Sequence, residues 1–426
     1  MLRINRIREN KLEIIEQLNV RNTDFSDLIH EIIDLDEIRR SSQHSLDQEL
    51  SELNQFSKKI GELFKSGNKE EANELKLKTG QLKESIKTLK DQLSSSEKKL
   101  TELLYQVPNL PNALVKAGSS EKDNEIIDEY GEVPSLNQNA LPHWELAKKY
   151  QLIDFELGVK ITGAGFPVYK GKGAQLQRAL INYFLNKAIS NGYQEVIPPL
   201  LVNADSGHAT GQLPDKEGQM YFVQEDQLYL IPTAEVPITN IFRDVIVDQK
   251  DFPIKHVGYT PCFRREAGSY GKDVRGLNRL HQFDKVEIVQ VAHPENSYKV
   301  LDEMVNYVKS LLEELKLPSR TVRLCGGDLG FTAALTYDFE VYSAAQDKWL
   351  EVSSVSNFET YQANRSKLRY RDNNKKTQLV HTLNGSALAL PRIMAAILEN
   401  YQTENGIQIP EVLIPYTGFE KIIKTE

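Results

Sequence analysis

The chain is poor in residues that staple or span. Its 426 residues include only two cysteines, Cys262 and Cys325, too few for a disulfide framework or a four-thiolate site, so no structural zinc is expected. No apolar run approaches the ~18–20 residues of a membrane-crossing helix, and no membrane partner is expected. The opening residues, Met1-Leu2-Arg3-Ile4-Asn5-Arg6-Ile7-Arg8-Glu9, break every apolar stretch with charge and do not read as a secretory signal. A reducing, cytoplasmic setting is the simplest expectation for two thiols. The common enzyme fingerprints are missing too. There is no GxGxxG between strand and helix, no GxxxxGK[ST], no HExxH and no GxSxG, and the eight histidines show no metal spacing. Net charge is −8, from 52 basic and 60 acidic residues, which by the bulk rule argues mildly against a nucleic-acid partner. What is present is a 40% hydrophobic, 26% charged composition that supports a sizeable core, excludes wholesale disorder and suggests two or three domains.

The first hundred residues differ from the rest. Between 26 and 104 there is no proline, and the only glycines are Gly61, Gly67 and Gly80. Leu46, Leu50, Leu53, Phe56, Ile60 and Leu63 recur at gaps of three and four. After Ser66-Gly67-Asn68 the pattern resumes with Leu75, Leu82, Ile86, Leu89, Leu93, Leu100 and Leu103. A narrow stripe of period near 3.5 is a coiled-coil seam, and the turn signal folds it into an antiparallel hairpin of two helices, each about 35–40 residues and roughly 50–60 Å long. Asn68 followed by Glu71 reads as an N-cap with a capping box. Charge along this arm is uneven. From 24 to 49 there are eight acids against Arg39 and Arg40, whereas 58–90 holds nine lysines against five glutamates. A lysine-rich tip is either a solvated helical face or a surface that meets phosphates.

Val107-Pro108-Asn109-Leu110-Pro111 stops the second helix, and a polar stretch, 118–132, reads as linker. Beyond it glycine, proline and aromatics rise. Strand-like runs appear at 192–198, 227–231, 255–259, 285–291, 320–324, 337–342 and 377–383, with helical segments at 174–190, 297–315 and 391–401. Strands outnumber helices and several are joined by turns alone, which predicts an α+β fold with a largely antiparallel sheet.

Four segments set charged residues in strand-like context. In Cys262-Phe263-Arg264-Arg265-Glu266, followed by a Gly-rich basic loop through Arg275, an arginine can fork onto phosphate or carboxylate. Glu266, two residues on, would share its sheet face. The next strand carries Lys285 and Glu287. A bare cross-strand ion pair would account for such a pattern equally. Thr233-Ala234-Glu235 offers a polar cluster or merely a helix N-cap. Glu351-Val352-Ser353-Ser354 offers ligands for Mg²⁺ and phosphate oxygens, or a polar turn. In Asn384 through Arg392 a strand enters a helix with Pro391 in its first turn. Arg392 there opposes the helix dipole, so it calls for an anionic or structural partner.

Together and in this order, these segments resemble the seryl-tRNA synthetases of class II, over nearly the whole chain and including the hairpin. The stretch 192–199 looks like class II motif 1, a dimer interface in the family; Phe263-Arg264-Arg265-Glu266 looks like motif 2 and Asn384 through Arg392 like motif 3. The resemblance implies a class II antiparallel sheet flanked by helices, preceded by the coiled-coil hairpin. It implies a homodimeric serine–tRNA ligase that makes seryl-adenylate from L-serine and ATP with Mg²⁺. The seryl group then passes to the 3′ end of tRNA(Ser), and of the selenocysteine tRNA, tRNA(Sec), where a host has one. By the same resemblance Arg264 holds the α-phosphate, Glu266 faces the adenine amino group, and Phe283 and Arg392 sandwich the base. Arg265, Glu351, Val352, Ser353 and Ser354 complete the ATP site, with Glu351 and Ser354 on the metal. Serine is held by Thr233, Ala234, Glu235, Arg264, Glu287 and Ser386. Arg264, Glu266 and Arg392 are the catalytic set, and Lys58, Lys65, Lys69, Lys76 and Lys83 meet tRNA.

The sequence departs from the family pattern at Leu335, where lysine is frequent, and at Ala387 and Pro391, where glycine is frequent. The domains expected are an arm of 1–105, a linker of 106–132 and a catalytic body of 133–426. A purely structural coiled-coil protein leaves the body unexplained. A carrier-protein ligase on the same fold leaves the basic arm unexplained, and a binding protein that no longer forms adenylate leaves the charged set of Arg264, Glu266, Glu351 and Arg392 unexplained.

Overall fold

A computed structural model describes residues 1–137, 139–215, 217–266 and 275–424. The chain divides into two compact units, residues 1–19 with 23–108, and residues 20–22 with 109–426.

In the first unit two short helices, Ile4–Glu9 and Lys11–Asn19, precede the long pair α1 (Ser26–Lys65) and α2 (Lys69–Leu104). The chain reverses at Ser66-Gly67-Asn68, where Gly67 has φ +80°, a left-handed conformation that glycine adopts at little cost. The expected capping box is not formed. Asn68 sits at the N-cap with ψ 75° and makes no cap bond, because an N-cap side chain reaches the helix amides from extended backbone. Its Nδ2 donates instead to Glu71 Oε2 at 3.0 Å. Leu46, Leu75, Ile86, Leu100 and Leu103 are buried along the seam, while Leu50, Leu53, Phe56, Ile60, Leu63, Leu82, Leu89 and Leu93 are half-buried. Two helices cover only one side of each seam residue, so partial burial is what the geometry allows. Across the seam Ser85 Oγ donates to Glu49 Oε1 at 2.9 Å, and Lys99 pairs with Glu31 at 3.0 Å. At the base, Asp36 is fully buried and takes Arg8 at 2.7 Å and Arg39 at 2.8 Å. Lys58, Lys65, Lys69, Lys76 and Lys83 are all exposed.

The second unit is built on eight strands: β1 (Glu125–Tyr130), β2 (Gln194–Glu195), β3 (Ile254–Phe263), β4 (Gln282–Ala292), β5 (Ser319–Arg323), β6 (Leu335–Ser343), β7 (Lys348–Asn357) and β8 (His381–Ala389). They form one sheet in the order β1-β5-β6-β7-β8-β4-β3-β2. Every neighbouring pair is antiparallel except β2 with β3, in line with the sheet expected. The stretch 106–132 is a linker only in part. Its Glu125–Tyr130 pairs with β5 as the sheet's edge, a position that tolerates its charged residues. The run expected at 377–383 is split. Thr377–Leu379 pairs with Arg369–Arg371 in a separate small sheet, and β8 continues through the whole Asn384–Ser386 segment. Among its helices are α3 (His143–Lys149), α4 (Gly171–Ser190), α5 (Glu235–Asn240), α6 (Ser297–Glu314), α7 (Tyr361–Ser366) and α8 (Leu390–Asn400). Leu180 and Phe184 of α4, Met304 and Leu311 of α6 and Ile393 and Ile397 of α8 join Phe339, Val355 and Leu383 of the sheet in one core. Leu335, where a cation is frequent in the family, is 1% exposed at the start of β6; it packs in this core and points no charge at a ligand.

Gly385 lies at the centre of β8, opposite Val355 on one side and Ile288 on the other. A Cβ there would come within 2.9 Å of Val355 Cγ2, so the β7–β8 spacing needs glycine. Gly385→Ala is expected to lower stability by ~1–3 kcal/mol through overpacking. In a double-mutant cycle read by thermal melting, Val355→Ala should recover part of that loss.

Candidate active site

The middle strands carry the candidate residues. On β4, Phe283, Lys285 and Glu287 alternate and share a sheet face. Glu287 lies opposite Ser386 of β8 and Gly258 of β3. It is 1% exposed. Its Oε2 takes Lys285 Nζ at 2.7 Å and the Ser386 hydroxyl at 3.2 Å. Glu235, the first residue of α5, is buried as well. Its Oε1 accepts from Gln362 Nε2 at 2.7 Å, and Thr382 Oγ1 donates to Gln362 Oε1 at 2.8 Å, which fixes the amide's orientation. Burial first, and then the Glu287 carboxylate, push the Glu235 carboxyl up to about 7, against the opposing pull of Gln362, Lys285 and Arg264. Thr233 Oγ1 accepts the Glu235 amide at 3.2 Å. Its hydroxyl therefore also acts as a helix-start acceptor. Ala234 is fully buried and packs on Ile238 and Val289. Two buried carboxyl groups flanked by hydroxyls suit a small ligand bearing an ammonium and a hydroxyl.

Arg264 follows the end of β3. Its Nε donates to Pro232 O at 3.3 Å, and its guanidinium lies 5.3 Å from the Phe283 ring centroid, a cation–π arrangement. Arg265 places its guanidinium 6.0 Å from the Tyr221 ring. Glu266 does not share a strand face with Arg264 as expected. β3 ends at Phe263, alternation ends with it, and Glu266 has φ +50° with its carboxylate 3.3 Å from Arg279. The rest of the motif 2 loop, Ala267-Gly268-Ser269-Tyr270-Gly271 and onward to 274, lies outside the described residues.

Arg392 stands in the first turn of α8, after Pro391. Carbonyl oxygens offset the unfavourable dipole: Nε donates to Asn278 O at 3.0 Å and Nη1 to Glu351 O at 2.6 Å. The Glu351 carboxylate is 3.7 Å away. Glu351 is half-exposed, while Ser354 bonds the Asp338 carboxyl on the neighbouring strand. Loss of water, and then the Glu351 charge, raise the Asp338 carboxyl well above the usual range. Its Oδ1 is buried with no partner. Among the described residues no group of three His, Cys, Asp or Glu side chains converges on a metal position. The donor set here is two carboxyls and a hydroxyl, all oxygen, which fits a hard divalent cation that keeps much of its own water or phosphate shell. Val352 is 1% exposed in the core, and Ser353 Oγ donates to Ser386 O at 2.6 Å.

Four residues of this region were not among the site residues read from sequence. Lys285 was within reach of that reading, since it stands two residues from Glu287 on one strand. Asp338 had a weaker signal, a carboxylate inside a strand-like run. Gln362 and Asn278 had none, because their partners lie 127 and 114 positions away.

The model of the tRNA synthetase class II core domain (G, H, P, S and T) matches residues 221–401, and that of the seryl-tRNA synthetase N-terminal domain matches residues 1–111. A serine–tRNA ligase of Salinibacter ruber is 49% identical over 424 residues, covering 99% of each chain. The crystal structure of seryl-tRNA synthetase from Pyrococcus horikoshii complexed with ATP superposes with TM-score 0.94 at 34% identity, covering 100% of both chains. A cytoplasmic serine–tRNA ligase of Naegleria fowleri in complex with AMP gives TM-score 0.88 at 28% identity, covering 100% of this chain and 99% of that one.

The raised Glu235 carboxyl has a stability consequence. The folded chain holds this proton to about 7, the unfolded chain only to about 4.3. The stabilisation is therefore full below the unfolded value and is lost as pH rises through the folded one. Glu235→Gln removes this dependence. Its melting temperature relative to the native chain should rise between pH 5 and pH 8, by the equivalent of ~2–3 kcal/mol at most.

Proposed function

The chain belongs to the seryl-tRNA synthetases, class II ligases that bind ATP, activate serine and charge tRNA with it, and we propose how its residues divide that work. The serine ammonium is received by Glu235 and Glu287, its hydroxyl by the polar groups around Thr233 and Ser386, and Ala234 shapes the wall. Such a site rejects alanine because the unmet buried acceptors are costly. Arg264 neutralises charge where the serine carboxylate meets the α-phosphate. Bringing two anions together makes positioning and charge neutralisation the main catalytic contributions. The carboxylate oxygen bonds to the α-phosphorus, the bond to pyrophosphate breaks, and the 3′-terminal hydroxyl of tRNA later displaces AMP from the acyl carbon.

Phe283 and Arg392 hold the adenine between ring and guanidinium, and Glu266 and Arg265 line the nucleotide. Glu351 and Ser354, with Asp338 beside them, would hold Mg²⁺, which when bound supplies positive charge to the phosphate oxygens. The ATP and AMP named for the two structural relatives support nucleotide binding by this chain. Exposed Lys58, Lys65, Lys69, Lys76 and Lys83 of the hairpin meet the tRNA backbone, of tRNA(Ser) and, where a host has one, tRNA(Sec). The motif 1 stretch exposes Ile197 at 87%, and Leu200 and Leu201 just after it are 37% and 40% exposed. An apolar run of this kind suits a second copy of the chain, and we assign a cytoplasmic homodimer.

The observation that carries this reading is the convergence of Glu287, Lys285 and Ser386 of the sheet with Glu235 of α5 and Arg264 just past β3 in one polar cluster. Purified protein should exchange pyrophosphate into ATP with serine and not with alanine or threonine; exchange driven by threonine, or none with any amino acid, would refute it. Arg264→Ala should lose that exchange by at least ~100-fold while melting within a few degrees of the native chain. A collapse in melting temperature would make Arg264 structural. Deleting 41–90 should leave exchange nearly intact and abolish tRNA charging, measured side by side on one preparation.

A further inference from the structure

A buried polar network of the second unit, centred on His143 and Glu399, connects to the proposed nucleotide contact Arg392. His143, the first residue of α3, and Glu399, in the last turn of α8, are both 0% exposed. The His143 amide and Nδ1 reach Glu399 Oε1 at 2.9 and 2.7 Å. Gln346 Nε2 donates to the same oxygen at 2.9 Å, and Ser343 Oγ donates to Oε2. Burial alone would raise Glu399, but these bonds outweigh it and hold the carboxyl below the usual range. On the other side of the ring, the Leu277 amide donates to His143 Nε2 at 2.8 Å. An amide can only donate, so Nε2 is the acceptor, the ring proton sits on Nδ1, and Nδ1–H donates to Glu399.

The same turn of α3 grips the neighbouring residues. The Arg275 guanidinium lies 4.8 Å from the Trp144 ring, and Arg275 Nη2 is 3.4 Å from Glu145 Oε1. Gly276 has φ +69°, and a Cβ on it would run into the His143 imidazole. Asn278 Nδ2 donates to Gln346 Oε1 at 2.9 Å, and Asn278 O takes Arg392 Nε at 3.0 Å. The bonds close a circuit. Arg392 of α8 reaches Asn278, the adjacent Leu277 reaches His143 of α3, and His143 returns to Glu399 of α8.

We propose that His143 is a positioning residue for nucleotide binding. By accepting the Leu277 amide while anchored on Glu399, it fixes the segment 276–278 whose Asn278 carbonyl aims Arg392. This rests on the reading of Arg392 as an adenine-facing residue. A purely structural pair would lower stability without favouring one substrate.

Two substitutions separate the two ring nitrogens. Asparagine places an amide near Nδ1 and keeps a donor for Glu399 but has nothing at Nε2. Glutamine places a carbonyl near Nε2 and keeps the acceptor for Leu277. In serine-dependent pyrophosphate exchange on the full chain, His143→Asn should raise the KM for ATP about tenfold, the weight of one lost bond of ~1.4 kcal/mol. The KM for serine and kcat should stay within about twofold. His143→Gln should remain near native in ATP KM. Adding His143→Asn to Arg392→Ala should raise the ATP KM no further, because both act through one group. Gly276→Ala, which displaces the same segment without removing the Glu399 bond, should reproduce the ATP effect and decides the matter if neither His143 variant folds. The proposal is overturned if His143→Asn, or Gly276→Ala in its place, leaves ATP KM unchanged, or if serine KM and kcat change in parallel with it. Should Arg392→Ala itself leave ATP KM unchanged, the nucleotide role of Arg392 fails first. A rise with Arg392→Ala and none with His143→Asn defeats only the positioning role.

Discussion

Two carboxyl groups, Glu235 at the start of α5 and Glu287 on β4, are buried near enough to influence each other, and much of the second unit exists to make that tolerable. Burial penalises the charge of each carboxylate, their mutual repulsion adds to it, and Glu235 responds by holding its proton to about 7. Lys285 and the Ser386 hydroxyl offset the cost at Glu287, and Gln362 offsets it at Glu235. These partners come from β4, β8 and α7, so the arrangement depends on β4 lying between β3 and β8, with the register shift between Lys285 and Glu287 that sets Glu287 opposite Ser386. Gly385 permits the close approach of β7 to β8, and the apolar helices behind the sheet hold the strands in place. In the proposed reading a ligand bearing a positive charge relieves that repulsion, so that binding and recognition are the same event.

The second feature of the molecule is the separation of charge. The whole chain is acidic, yet the hairpin's distal part carries nine lysines against five glutamates while its base is acidic. A phosphate backbone responds to local potential within about a Debye length, ~8–10 Å at physiological salt. The net value of −8 therefore says little about nucleic acid. The same locality explains Asp36, whose buried carboxylate is matched by two arginines within a few ångströms and not by the chain's total charge.

Long periodic elements were legible in the sequence. The stripe from Leu46 to Leu103 dictates two helices and a turn, and the antiparallel sheet followed from strands joined by short connections. What the periodicity missed has physical causes. β1 is an edge strand whose Glu, Asp and Tyr residues obscure its alternation, so it resembles a linker. Glu266 lies just past a strand end, where the period-two rule no longer applies. Asn68 has N-cap chemistry but not N-cap backbone angles. Arg264, Glu287, Ser386 and Arg392 stood out because a charge or hydroxyl inside a strand or at a helix start demands a partner. Gln362, Asn278 and His143 did not, because an uncharged polar residue in a loop or short helix gains meaning only from what folding brings against it.

Proton linkage to serine binding tests the central claim most directly. Calorimetric titration of the full chain with L-serine at pH 7, in buffers of different ionisation enthalpy, reads protons released on binding. If a buried, partly protonated Glu235 receives the ammonium, about half a proton should be released at pH 7, falling toward zero at pH 8, where the amine of free serine is still protonated. Glu235→Gln should release none at either pH. Serine binding with heats independent of buffer at pH 7 would contradict the account.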